Sequence, residues 1–240
     1  MTALVEAIDL EVAYGKVTVL DGVHLRVDQG EVVALLGTNG AGKSTLLKAI
    51  SGILRPKAGS LLLDGGDIAR MRPPEIVARG VVQMPGGRAT FPGLTVGENL
   101  TIGGVTAARE QRAARVAEVL GQFPWLAERQ DQLAGTLSGG QQQMLALARA
   151  LMASPRLLMI DELSLGLAPA VVGELLGVVA GLRERGMAIV IVDQHVNMAL
   201  DVADRAYFLE RGQVRFDGPA ADLRDRRDLL RAVFFAGATA

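Results

Sequence analysis

Short apolar runs separated by polar turns open the chain. Ala7–Val12, Val17–Leu20, Val23–Val27 and Val32–Leu36 each have the length and composition of a strand, and the last is apolar throughout, as suits a strand buried on both faces. The spacing then becomes helical from about Gly42 to Ile50, with Gly52 as the C-terminal stop. Ser60–Leu63 runs into a turn at Asp64-Gly65-Gly66, and Gly80–Met84 reads as another buried strand. Between about Phe91 and Thr136 strand signals are few. Within that stretch Ala107–Leu120 is amphipathic, with Val116, Val119 and Leu120 on one side and Arg109, Arg112 and Glu118 on the other. Alternation then resumes: helix Ser138–Met152, strand Leu157–Ile160, helix Pro169–Arg185, strand Ala188–Val192, helix Val196–Val202, a hairpin Ala206–Phe216 turning at Arg211-Gly212, and a charged C-terminal helix. This order predicts an α/β fold in one domain, residues 1–240. Residues 1–90 and 137–240 form a mainly parallel sheet core with an N-terminal antiparallel β subdomain, and 91–136 form an inserted helical lobe.

Composition narrows the function classes. With 240 residues, half of them hydrophobic, the chain can bury a sizeable core. Its 25 basic and 26 acidic residues nearly cancel, which argues against the broad basic field that nucleic-acid binding uses. The lack of cysteine excludes disulfides, thiol catalysis and cysteine-held metals. Met1–Leu10 carries Glu6 and Asp9 and lacks a basic start before an apolar core, so a secretory signal is not expected there. No apolar run approaches the roughly 20 residues that cross a bilayer, so any membrane role is expected to be peripheral.

The chemistry starts at Gly37–Thr45, GTNGAGKST, which satisfies the phosphate-loop pattern G-x-x-x-x-G-K-[ST] between an apolar strand and a helix start. Gly37, Thr38, Asn39, Gly40, Ala41 and Gly42 would turn backbone N–H groups onto a polyphosphate, and the amides of Lys43, Ser44 and Thr45 open the helix. The Lys43 ammonium would reach the β- and γ-phosphates, and the Ser44 hydroxyl would take one position on Mg²⁺. Leu157–Glu162 is a second signal: an apolar strand ending in two carboxylates, which a parallel sheet would deliver beside the phosphate loop. Asp161 would hold the magnesium and Glu162 would polarise the attacking water. The third is Leu137-Ser138-Gly139-Gly140-Gln141. Ser138 is a good N-cap, and glycines just inside a helix point either to a second anion site or to a plain capped helix.

Phosphate loop, LSGGQ and Asp-Glu strand, in that order over about 125 residues, resemble the nucleotide-binding subunit of ATP-binding cassette (ABC) transporters. The resemblance implies a P-loop nucleotide hydrolase fold, ATP with Mg²⁺, and Tyr14 stacked on adenine. It implies a second ATPase subunit paired head to tail, so that Ser138, Gly139, Gly140 and Gln141 complete the partner's site. It also implies transmembrane permease subunits, a solute-binding protein as an indirect partner, and a place at the cytoplasmic face of the inner membrane. Within the family, Phe91–Leu100, Gly140–Ala146, Ser164–Pro169 and Ala203–Tyr207 are similar to the short ATP-binding subunit of branched-chain amino acid importers; amide or urea importers look alike. Gly86, not Gln83, falls at the family's Q-loop glutamine, and Gln194, not its neighbour His195, falls at the switch histidine and would donate to the γ-phosphate. Leu163 stands where proline is usual, and Ala168 where the D-loop aspartate is usual.

Two other classes compete. A soluble ABC ATPase acting on ribosomes or nucleic acid usually carries fused cassettes or coiled coils, whereas this chain has one cassette. A phosphate-loop kinase or GTPase is disfavoured by LSGGQ and by the lack of Asn-Lys-x-Asp. Trp125 is expected to pack inside the lobe, and Phe234-Phe235 to dock the tail.

Overall fold

A computed structural model describes residues 3–87, 89–105, 108–193 and 196–226. The elements are numbered in chain order. Strands β1 (Ala3–Tyr14) and β2 (Val17–Asp28) precede β3 (Val32–Gly37), helix α1 (Lys43–Ile50), strands β4 (Ala58–Leu63) and β5 (Gly66–Asp67), helix α2 (Pro73–Ala78) and strand β6 (Val81–Met84). Helices α3 (Val96–Gly103), α4 (Arg109–Gln122), α5 (Pro124–Ala127) and α6 (Gly139–Leu151) follow. The chain then alternates β7 (Leu157–Asp161), α7 (Pro169–Glu184), β8 (Ala188–Val192), α8 (Val196–Val202), β9 (Arg205–Glu210), β10 (Gln213–Pro219) and α9 (Ala220–Asp225).

The strands form two sheets. One is antiparallel, in the order β2-β1-β4-β5; the other runs β10-β9-β3-β8-β7-β6 and is parallel except where β10 returns against β9. Side chains alternate across the parallel sheet. Val32, Ala34 and Leu36 of β3 face α6, α7 and α8, while Val33 and Leu35 face α1 and the antiparallel sheet. Both faces are covered, which explains why β3, β7 and β8 are fully buried and read as unbroken apolar runs. The Tyr207 hydroxyl of β9 accepts from the Arg26 amide of β2 at 3.0 Å, so a buried polar group also joins the two sheets.

The expected α/β architecture is present, with local corrections. The front strands are longer than their patterns suggest: β1 and β2 are 12 residues each, and the expected separate strands Val17–Leu20 and Val23–Val27 are one element. Register shifts near Leu10 and Val12 absorb extra residues and break the strict alternation without ending the pairing. Helix α2 went unread because it is a six-residue element. Its signal is local: Pro73 at the first turn, and a Glu75 carboxylate accepting from the Arg72 amide at 2.8 Å. Between β6 and α6 the described residues hold helices and one isolated bridge, Thr95 to Leu133. In α4, Val119 is buried with Val116 and Leu120 packed beside it, while Glu118 is exposed. Ala107, Phe234 and Phe235 lie outside the described residues, as does most of the expected C-terminal helix beyond α9.

The covered sheet predicts a contrast in stability. Leu35→Ala empties a fully buried site and is expected to cost about 2–5 kcal/mol. Val17→Ala, at a position 66% exposed, is expected to stay within about 0.5 kcal/mol. Urea unfolding midpoints check this, and equal shifts would contradict the assignment of the core.

Candidate nucleotide site

Strand β3 delivers the chain to Gly37, and the loop from Thr38 to Gly42 carries it into α1. No side chain caps α1, and its first turn has no acidic residue. Its leading amides and positive dipole end are therefore left to an external anion. They open onto a cavity of about 310 Å³ lined by the loop from Asn39 to Thr45 and, across it, by Asp161, Glu162 and Asp193. The expected strand-end carboxylates thus stand beside the phosphate loop because β7, β8 and β3 are parallel neighbours whose carboxyl ends share one edge.

Charge inside the cavity is arranged in opposition. The Lys43 ammonium donates to the carbonyls of Gly37 at 2.8 Å and Thr38 at 2.9 Å. Burial pushes its pKa below 10.5, and the nearby Asp161 and Glu162 only partly pull it back. Asp161 is 7% exposed, and among the described residues its Oδ1 has no hydrogen-bond partner. A buried carboxylate oxygen left this way is costly unless a cation or donor meets it. Ser44 lines the same cavity and is exposed. One hydroxyl and one unmet carboxylate oxygen suit a hard cation such as Mg²⁺, which takes its other positions from water and phosphate. Among the described residues no group of three or more His, Cys, Asp or Glu could hold a metal by itself.

Glu162 follows Asp161 with φ of 51°, and its amide donates to the Val192 carbonyl at 2.7 Å. Tyr14 is exposed at the β1–β2 turn and does not line the cavity; Val19 of β2 does. Gly37 and Thr38 contribute through the carbonyls that hold Lys43. Gln194 and His195 lie outside the described residues. Asp193 was missed, although its signal matches that of Asp161: an acid directly after an apolar strand.

The LSGGQ residues are elsewhere. Ser138 caps α6, accepting from the Gln141 amide at 3.3 Å, while the Gln141 side chain accepts from the Ser138 amide at 3.0 Å. Gly140 has a packing reason, since a Cβ there would fall 2.5 Å from Val171 Cγ1 of α7. Ser138, Gly140 and Gln141 line a separate cavity of about 250 Å³ with Trp125, Met144 and Val171. Trp125 is half-buried, packs against the core with one side, and carries the Arg129 guanidinium 5.9 Å from its ring centre. Within one chain, therefore, the signature residues and the phosphate loop line different cavities.

A parallel sheet, a glycine loop feeding a helix start and an acid-bearing neighbouring strand together define a P-loop nucleotide hydrolase fold. The chain belongs to the ABC transporter family, whose model matches residues 20–164, and is one of its ATP-binding subunits. It is 43% identical over 201 residues, 84% of this chain and 86% of the relative, to the high-affinity branched-chain amino acid transport ATP-binding protein BraG of Pseudomonas aeruginosa. Over 221 residues, 92% of this chain and 94% of the relative, it is 35% identical to a probable branched-chain amino acid transport ATP-binding protein, LivF, of Archaeoglobus fulgidus. Among solved structures it resembles the ADP conformation of an ABC transporter's ATP-binding cassette, with a TM-score of 0.89, 26% identity, and coverage of 98% of this chain and 99% of the other.

The Lys43 environment predicts a proton linkage. A polyphosphate raises the pKa of an ammonium that burial has lowered, so nucleotide binding takes up a proton between the free and bound values. ATP affinity should therefore fall as pH rises through the lowered Lys43 pKa, with proton uptake visible by calorimetry in two alkaline buffers of different ionisation enthalpy. Identical heats in the two buffers would contradict it.

Proposed function

We propose that this chain binds and hydrolyses ATP to power an importer of branched-chain amino acids. The observation that carries the catalytic part is the single cavity in which a half-buried ammonium, a carboxylate oxygen unpartnered among the described residues and a second carboxylate face the start of α1. In this reading the loop from Gly37 to Thr45 and Lys43 grip the triphosphate, Ser44 and Asp161 hold Mg²⁺, and Tyr14 stacks on adenine. Mg²⁺, when bound, neutralises charge on the phosphate oxygens. Glu162 orients the attacking water, and Gln194 donates a hydrogen bond to the γ-phosphate. The relatives' names support the cargo.

The divided site supports a paired assembly. Ser138, Gly139, Gly140 and Gln141 complete the phosphate-loop site of a second ATPase subunit, a reading supported by Ser138, Gly140 and Gln141 lining a cavity apart from the phosphate loop in one chain. The permease seats on the lobe formed by residues 91–136 and the loop near Gly86 to Phe91, where Phe91 and Val105 are 45% and 65% exposed and Val105 lines a groove with Arg149. The Arg149 guanidinium lies 4.8 Å from the Phe91 ring centre without an ion pair to any described residue, so the permease segment that enters carries a carboxylate. A solute-binding protein acts through the permease. No described helix is long and apolar enough to cross a membrane; the relatives' part in transport supports a peripheral position at the cytoplasmic face of the inner membrane.

Steady-state ATPase tests the catalytic assignment. Glu162→Gln is expected to keep nucleotide binding and lower kcat roughly 10²- to 10⁴-fold, the range for a lost general base. An unchanged kcat would remove Glu162 from the reaction.

A further inference from the structure

Glu162 adopts a left-handed backbone, φ 51°, which a residue other than glycine holds only where its surroundings fix it. The fixing contacts are specific. The Glu162 amide is tied to the Val192 carbonyl, and the Gln143 side chain of α6 donates to the Leu163 carbonyl at 3.3 Å. Both Asp193 oxygens accept from Ser164, from its amide at 2.8 Å and its hydroxyl at 2.5 Å. Asp193 and Ser164 are 6% and 2% exposed. Two bonds from one loop residue to a buried carboxylate make a strong, geometrically defined hold.

The other side of Glu162 is bounded by Gly86. A Cβ at Gly86 would lie 2.9 Å from Glu162 Oε2, 3.2 Å from Glu162 Cβ and 3.3 Å from the Asp161 carbonyl oxygen. Gly86 is not among the residues with positive φ, so the backbone itself tolerates a side chain. What it lacks is room: the Glu162 carboxylate occupies that space. We infer that Ser164 and Asp193, together with the bare backbone of Gly86, are positioning residues that clamp the Glu162 carboxylate at the edge of the nucleotide cavity. This rests on the reading of Glu162 as the residue that orients water. Ser164 does not line the cavity, so its influence on the reaction passes through the loop it anchors.

The test is steady-state ATPase of the full chain carrying Ser164→Ala, Gly86→Ala, Asp193→Ala or Asp193→Asn, with and without Glu162→Gln. Ser164→Ala, Gly86→Ala and Asp193→Ala are expected to lower kcat roughly 10- to 100-fold, with KM for ATP held within about twofold. Asp193→Asn should recover most of the rate, because its amide can still accept from the Ser164 amide and donate to the Ser164 hydroxyl. In the Glu162→Gln background the same substitutions should cost nothing further. An equal fold-loss in that background, or losses appearing in KM rather than kcat, would overturn the clamp. Wild-type kcat in Ser164→Ala and Gly86→Ala beside a slow Glu162→Gln would overturn the clamp alone. Wild-type kcat in Glu162→Gln itself would instead overturn the reading on which it stands.

Discussion

Opposite charges withdrawn from water at the carboxyl edge of a parallel sheet need compensation, and the architecture around the loop from Gly37 to Thr45 answers that need. Removing an ammonium or a carboxylate from water costs several kcal/mol even after relaxation. For Lys43 burial is the larger influence and lowers the pKa, and the attraction of Asp161 and Glu162 does not cancel it. Two loop carbonyls hold the ammonium in the meantime. Asp161 retains one oxygen with no donor among the described residues. Such a site favours a ligand that brings both a polyanion for the lysine and helix start and a cation for the carboxylate, and a magnesium–nucleotide complex brings both.

The sheet order makes this opposition geometrically possible. Strand β3 lies between β8 and β9, and β7 is the next strand beyond β8, so the phosphate loop, Asp193 and the Asp161–Glu162 pair emerge at one edge in parallel. Burial on both faces keeps those strands rigid. Helix α6 then connects chemistry at two places: Ser138 and Gly140 lie at its start, and Gln143, one turn on, bonds the carbonyl that follows Glu162.

Much of this was legible in the residue pattern. Strands buried on both faces show as unbroken apolar runs, and the loop motif has few other uses when a strand precedes it and a helix follows. The Asp-Glu strand end and the hairpin at Arg211-Gly212 were readable for the same reason, since local chemistry dictates them. Tertiary facts were not. The merging of Val17–Leu20 and Val23–Val27 depends on register shifts in the partner strand. The packing of Gly140 on Val171 is a contact between helices 31 residues apart in sequence, and Trp125 beside the signature residues depends on how α5 meets α6. The Asp193–Ser164 pair is a long-range bond between two loop ends, so only a fold could reveal it.

In the proposed site, Lys43 and Asp161 form one charge-compensated receptor for a magnesium–nucleotide complex. Calorimetric titration of the full chain with ATP, with and without Mg²⁺, beside Lys43→Ala and Asp161→Asn, tests it most directly. The account predicts that Lys43→Ala loses ATP association in both conditions, and that Asp161→Asn loses only the strengthening that Mg²⁺ provides. Heats of association in both variants indistinguishable from the parent chain would contradict it.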